Sequence, residues 1–150
     1  LGENCRLIGL PDWGSEPWLI SIGNHTEVSF DVAFITHDGA TWCFRDQDEY
    51  KGTLKFGRIR IGNNCFIGAR STILPGVTIG DNSIVAAGAV VNRSIPSGEV
   101  WGGVPAHYIM KTKDYADKCK ENTPIYDLEN YRKNFREEVN LICDRMEHSM

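Results

Sequence analysis

From Ile61 onward the chain repeats itself every six residues. Ile61, Ile67, Ile73, Ile79, Val85 and Val91 are β-branched aliphatics in unbroken register, followed in turn by Gly62, Gly68, Leu74, Gly80, Ala86 and Asn92. Four residues after each aliphatic stand Cys65, Ser71, Val77, Ser83, Ala89 and Ile95, which are mostly small. A helix with about 3.6 residues per turn carries every sixth residue around its axis, so no helical face collects this column. A single strand would put the aliphatics on one face, but it would need more than about thirty extended residues with glycines and Pro75 inside it. A coil of short strands satisfies the pattern. Each hexapeptide makes one flat side and one corner, the aliphatic points inward, and the small residue after it permits the turn. Three sides make a turn of about eighteen residues, and stacked turns align the aliphatics into one continuous core.

The same phase is present earlier. Ile22-Gly23, Val28-Ser29 and Phe34-Ile35 begin three units, with Thr26 and Val32 at the small position. Leu1-Gly2 and Leu7-Ile8 begin two more, with Cys5 at the small position. Cys5 and Cys65 therefore read as small apolar fillers of the core. Two stretches break the period. Residues 9–21 read as an irregular or lengthened coil, and residues 38–58 as an insertion rich in charge and aromatics. A long loop expelled from a rigid solenoid is a usual place for function. The pattern ends after Pro105. Beyond Pro124, Leu128, Tyr131, Phe135, Val139 and Ile142 lie three and four apart on one helix face. That face is expected to cap the open end of the solenoid, whose strand edges need cover, or to pack on a neighbouring subunit. The reading is thus an all-β solenoid over 1–110 and a helical extension over 111–150.

Composition narrows the class. The chain has 150 residues and a net charge of −4, without the basic footprint of a nucleic-acid partner. No apolar stretch approaches a membrane span, and the opening residues lack the layout of a signal peptide. The five cysteines are odd in number and include no CxxC pair. A disulfide framework or zinc cluster needs paired spacing, so they read as reduced thiols in a cytoplasmic protein.

The run Ile61-Gly62-Asn63-Asn64-Cys65-Phe66-Ile67-Gly68-Ala69, continued by Ile73-Leu74-Pro75-Gly76-Val77-Thr78-Ile79-Gly80-Asp81-Asn82, resembles the hexapeptide-repeat acyltransferases. So do Ala86-Ala87-Gly88-Ala89-Val90-Val91 and Gly103-Val104-Pro105-Ala106. Within that family, Phe34-Ile35-Thr36-His37-Asp38-Gly39 and Gly14-Ser15-Glu16-Pro17 resemble the O-acetyltransferases of capsular and exopolysaccharide synthesis. Maltose and galactoside acetyltransferases are more distant. The resemblance implies a left-handed parallel β-helix, against the usual right-handed crossover. It also implies a homotrimer with active sites between subunits, acetyl-CoA as co-substrate, and a sugar or saccharide acceptor.

It further implies that His37 is the general base. A sugar hydroxyl is a weak nucleophile, and a neutral imidazole can take its proton near pH 7. The thioester is already activated, so no acyl-enzyme is needed. Asp38 or Glu16 is expected to orient the ring. Ala69 and Ala87 are expected to offer backbone groups to the pantetheine arm, with Asn92 near the same groove. His107 and Lys111, and with them Lys113, are expected at the phosphates of CoA. Trp42, Phe44 and Arg45 are expected to form an acceptor platform, the alternative being local packing of the loop. The chain lacks the accessory asparagine that galactoside-type enzymes carry near the position of Gly9. Trp101 stands where the family has a small residue. His25 and His148 read as surface residues. Three other readings compete: an N-acetyltransferase of an amino-sugar nucleotide or antibiotic, a non-catalytic β-helix scaffold, and a zinc-dependent γ-type carbonic anhydrase. The last needs three histidines on one metal, and only His25 and His37 lie in the repeats.

Overall fold

The computed structural model describes residues 1–149. The chain divides into two compact units, Leu1–Thr112 and Lys113–Met150. The first is a coil of two- to five-residue strands gathered into three sheets. One sheet takes β1 (Arg6–Leu7), β3 (Glu27–Val28), β6 (Phe66–Ile67), β9 (Ile84–Val85), β11 (Glu99–Gly102) and β12 (His107–Lys111). The second takes β4 (Ala33–Phe34), β7 (Thr72–Ile73) and β10 (Val90–Val91), and the third β2 (Ile20–Ile22), β5 (Ile59–Ile61) and β8 (Thr78–Ile79). All pairs except β11–β12 are parallel.

Register shows how the repeat builds this. Ile61 pairs with Ile79, Ile67 with Val85 and Ile73 with Val91, an offset of 18 residues each time. Ile22 pairs with Ile61 across an offset of 39, the excess being the 21 residues 38–58. Inside the coil three columns stand on one another: Val28, Ile67 and Val85; Phe34, Ile73 and Val91; Ile22, Ile61 and Ile79. None of these nine is more than 6% exposed, and burial of each side chain contributes about 1.5–3 kcal/mol before chain entropy is counted. The small corner residues point inward too, and their polar atoms are used. Ser71 donates to Gly68 O at 2.7 Å, Ser83 to Pro96 O at 3.0 Å and Cys65 to Gly80 O at 3.1 Å.

Two corners need glycine for a packing reason. A Cβ on Gly68 would lie 2.5 Å from the Ala87 amide nitrogen, and one on Gly62 within 2.8 Å of the Asp81 nitrogen. Beside the latter, side-chain oxygens climb from coil to coil. Asn24 Oδ1 accepts from Glu3 N, Asn63 Oδ1 from Asn24 N and Asp81 Oδ1 from Asn63 N, at 2.7–2.8 Å. His25 occupies the next column with a left-handed φ of 52° and its Nδ1 2.9 Å from Asn64 Oδ1. It is a corner residue of the coil.

Two expectations need correction. Leu1 and Leu7 are 71% and 39% exposed and Cys5 is half-buried, because the coil that carries them has a neighbour on one side only. Between the end of the repeat and the first helix the chain adds one more strand. It reverses at Gly103, whose φ is +97°, and β12 runs antiparallel along β11, covering the last open edge. The hexapeptide period does not signal a strand running the other way. The face from Leu128 to Ile142 also belongs to two helices. α1 is Thr112–Asn122, α2 is Leu128–Lys133 and α3 is Phe135–His148, the latter two separated by Asn134 at φ −128°, ψ 58°. Within the second unit Tyr131 packs between Tyr126, tilted to it, and Phe135, edge-on to it, at 5.6 and 5.1 Å between ring centres.

Trp101 continues the inward column after Val85, its register partner, and is 8% exposed. Its indole fills the end of the core, its Nε1 donates to Glu99 Oε2 at 2.7 Å, and Arg93 lies over its ring. A small residue there would leave the last coil unfilled.

Candidate active site

Residues 38–58 leave the coil after β4 and return at β5, and their neck is closed by backbone pairing. Gly57 N donates to Thr36 O at 2.8 Å and Asp38 N to Lys55 O at 2.9 Å, flanking the His37–Phe56 bridge. Gly57 is required here, since a Cβ on it would lie 2.3 Å from the Gly76 nitrogen of the next coil. Beyond the neck the loop is built of two short turns of tight helix, Gly39–Cys43 and Asp48–Tyr50.

His37 thus stands where a rigid coil meets a braced loop. The stretch before β2 is anchored as well. Asp12 bridges to Ala33, and Trp13 stacks on Phe34 with ring centres 5.1 Å apart. This anchoring brings Glu16 against the start of the loop. Glu16 Oε2 lies 2.9 Å from His37 Nδ1 and accepts the Thr36 hydroxyl at 2.6 Å. Thr36 is buried, and the His37 side chain is 43% exposed. The hydrogen bonds from Thr36 and then from His37 hold the Glu16 carboxyl well down, at about 2 against an ordinary 4.5. An ionised carboxylate only accepts, so Nδ1 carries a proton toward it, and in the neutral ring Nε2 is the nitrogen with the lone pair. That is the tautomer of a general base with its orienting group behind it.

Of the two carboxylates expected to orient the ring, Glu16 is the one in contact. Asp38 instead caps the Gly39–Cys43 turn, accepting from Ala40 N at 2.9 Å, and pairs with Lys55 at 3.0 Å. The Ala40 amide, and after it Lys55, hold the Asp38 carboxyl below its usual range. A side chain committed to a cap and a lysine is not free to steer the imidazole.

His37 opens on a cavity of about 270 Å³ lined by Asp38, Thr41, Trp42, Arg45, Leu54 and Phe56 among others. Trp42 and Arg45 therefore stand where an acceptor platform was expected. Phe44 does not line the cavity and packs edge-on against Tyr50, 5.5 Å away, so for this residue the packing alternative holds. Sequence reasoning missed Thr36, Lys55, Leu54 and Phe56. Thr36 carried a faint signal, as a polar residue between the inward Phe34 and the candidate base. Lys55 and Phe56 carried none, since only the loop's closure returns them to His37.

A family model for the hexapeptide repeat of succinyl-transferase matches residues 58–93. Protein CapG of Staphylococcus aureus is 44% identical over 133 residues, covering 87% of this chain and 76% of its own. The chain belongs to the hexapeptide-repeat acyltransferase family. Among solved members, a maltose O-acetyltransferase of Clostridium difficile aligns over 73% of this chain and 57% of its own at 30% identity, with a TM-score of 0.60. A hexapeptide-repeat acetyltransferase of Vibrio cholerae complexed with acetyl coenzyme A aligns over 63% and 50% at 32% identity, with a TM-score of 0.54. The chain thus spans 50–57% of the length of these two structures.

The residues that the family resemblance assigned to the donor fall on two parts of the coil. Ala69 and Ala87 lie at the same corner of successive coils, the former half-buried and the latter exposed, and Gly88 N donates to Ala69 O at 2.8 Å. Asn92 is exposed at the opposite end of β10, the corner that β4 also enters on its way to His37. His107 and Lys111 bound β12. Lys111 Nζ pairs with Glu99 Oε1 at 3.1 Å, and His107 Nδ1 lies 3.5 Å from Arg93. The Trp101 indole, and after it Lys111, hold the Glu99 carboxyl below its usual range. Lys113 forms its own pair with Asp117 at 2.9 Å. Among the described residues no helix is long and apolar enough to cross a membrane, and no group of three His, Cys, Asp or Glu is placed to hold a metal.

Proposed function

We propose that this protein is an acetyl-CoA-dependent O-acetyltransferase acting on a sugar or saccharide hydroxyl, with His37 as general base. The observation that carries the reading is the hydrogen-bonded line Thr36–Glu16–His37, ending on a lone pair at the edge of a partly enclosed cavity. His37 Nε2 takes the proton from the acceptor hydroxyl as its oxygen attacks the thioester carbonyl. The tetrahedral intermediate collapses with cleavage of the C–S bond. The imidazolium, balanced by Glu16, returns the proton to the departing CoA sulfur, so the enzyme ends as it began.

Acetyl-CoA enters along the corner of Ala69 and Ala87, where successive coils expose backbone beside small side chains. Asn92 lies between that corner and His37. Lys111 and His107 serve the CoA phosphates, with Lys111 exchanging or sharing its Glu99 partner as the anion arrives. The coil is left-handed and the working unit a homotrimer, as family membership supports.

Thiol release from acetyl-CoA, measured across a panel of sugars, nucleotide sugars and polysaccharide repeat units, tests the proposal. His37→Ala is expected to keep its melting temperature and CoA affinity and to lose about 10²–10⁴-fold in kcat. Equal rates for the two proteins would remove His37 from the chemistry.

A further inference from the structure

Among the residues that line the cavity beside His37, one cation makes no ion pair. Its ionised lining residues are Asp38, Arg45 and Lys55, and Lys55 is already joined to Asp38 at 3.0 Å. Among the described residues Arg45 has no carboxylate within ion-pair distance, although Asp46, Asp48 and Glu49 follow it in the same loop. Its guanidinium lies over the Trp42 ring, 4.9 Å from the centre. Stacking occupies a face of the guanidinium and leaves its N–H edges to bind, in the fork geometry that matches a carboxylate or phosphate. The chain as a whole carries −4, so this cation is a local feature within an acidic protein.

We infer that the acceptor is an anionic saccharide, whose carboxylate or phosphate pairs with Arg45 while a hydroxyl of the same unit faces His37. The inference rests on the acyl-transfer reading of this cavity and adds the acceptor's charge to it. Three features agree. The volume, about 270 Å³, lies just below the usual range for ligand sites and suits one saccharide unit with the rest outside. Trp42 is 69% exposed, so its second ring face remains for a sugar. A neutral acceptor would leave the Arg45 guanidinium without a counter-charge in a partly enclosed site, whereas an anionic one supplies it.

The test compares kcat/KM for a hexuronate, a sugar phosphate and the matching neutral sugar. At least one anionic acceptor is expected to exceed the neutral one by about tenfold or more. The better of the two identifies the anion. Arg45→Gln is expected to abolish most of that preference through the acceptor KM, and Arg45→Lys to keep part of it. Lys51→Gln, in the same loop but outside the cavity, should leave the preference as it was. Equal or better turnover of the neutral sugar overturns the inference. So does a rise in the acetyl-CoA KM in Arg45→Gln at unchanged acceptor preference, which would assign Arg45 to the donor. NMR titration of the same saccharides into His37→Ala, with and without Arg45→Gln, reads the charge preference without turnover. If the native protein releases no thiol with any saccharide while the anion still binds in an Arg45-dependent way, the transfer reading falls and the anionic saccharide stands as a ligand of this cavity. Binding of neither saccharide, or of both equally, would sink this one.

Discussion

The Glu16 carboxylate accepts hydrogen bonds from Thr36 and His37, and its charge does two separable things. It favours the tautomer that leaves Nε2 with a lone pair, and in the proposed mechanism it stabilises the imidazolium formed during transfer. Glu16→Gln keeps the shape and removes the charge. Its kcat should fall on the order of 10²-fold or more, with KM for acetyl-CoA little changed. The same charge acts on stability. A carboxyl whose folded pKa lies below its unfolded one stabilises the fold above the unfolded value, and that contribution is lost as pH falls from about 4.5 toward about 2. Melting temperatures taken across that window should drop more steeply for the native protein than for Glu16→Gln. Parallel curves would show that the carboxylate has no such role. At this scale His37 was legible in the sequence as a candidate, because it follows a repeat unit in a motif that resembles the family's. The choice between Glu16 and Asp38 was not, since it depends on which carboxylate is already engaged by a helix cap and Lys55.

A hexapeptide is stable here only because the next coil lies against it, so its corner is more constrained than its face. Gly68 meets the Ala87 backbone, which cannot move aside as a side-chain end could. Gly68→Ala should therefore lower stability by about 1–3 kcal/mol, a fall of roughly 2–10 °C in melting temperature. Gly39, in the first turn of the loop, has open space where a methyl group would stand, with nothing within 4 Å, and no left-handed φ. Gly39→Ala should change stability by no more than about 0.5 kcal/mol. Differential scanning calorimetry of the two variants checks both, and similar losses would disprove the packing argument. The inward columns were readable because a six-residue period with β-branched residues admits one architecture. β12 was not, because it pairs by lying along an open edge and carries no repeat of its own.

The solenoid and its insertion divide the work of the whole molecule. Burial of the coil's core does not draw on residues 38–58 except at Thr41 and the neck, and the two ends of that loop are already tied by the Asp38–Lys55 backbone bond of 2.9 Å. Replacing residues 39–54 with two glycines should leave cooperative unfolding by circular dichroism intact, because closing a short loop across joined ends costs little. It should abolish acceptor-dependent thiol release, since Trp42, Arg45 and Leu54 are removed from the cavity. Loss of folding would mean that the loop is structural. Sedimentation of the native protein as a trimer, and of the loop-deleted protein as the same trimer, would place the assembly interface outside the loop.

The sequence alone determined the coil: its period, its inward residues and the position of the insertion all follow from local pattern, because a repeat stacks on copies of itself and meets the same surroundings each time. Only the tertiary structure decided what reaches His37. Glu16, Lys55 and Phe56 come from stretches with no period, and their contacts arise when Trp13 stacks on Phe34 and the loop neck pairs with itself. Trp101 has the same origin: its place at the end of the core is set by Val85, sixteen residues earlier in the chain and one coil away.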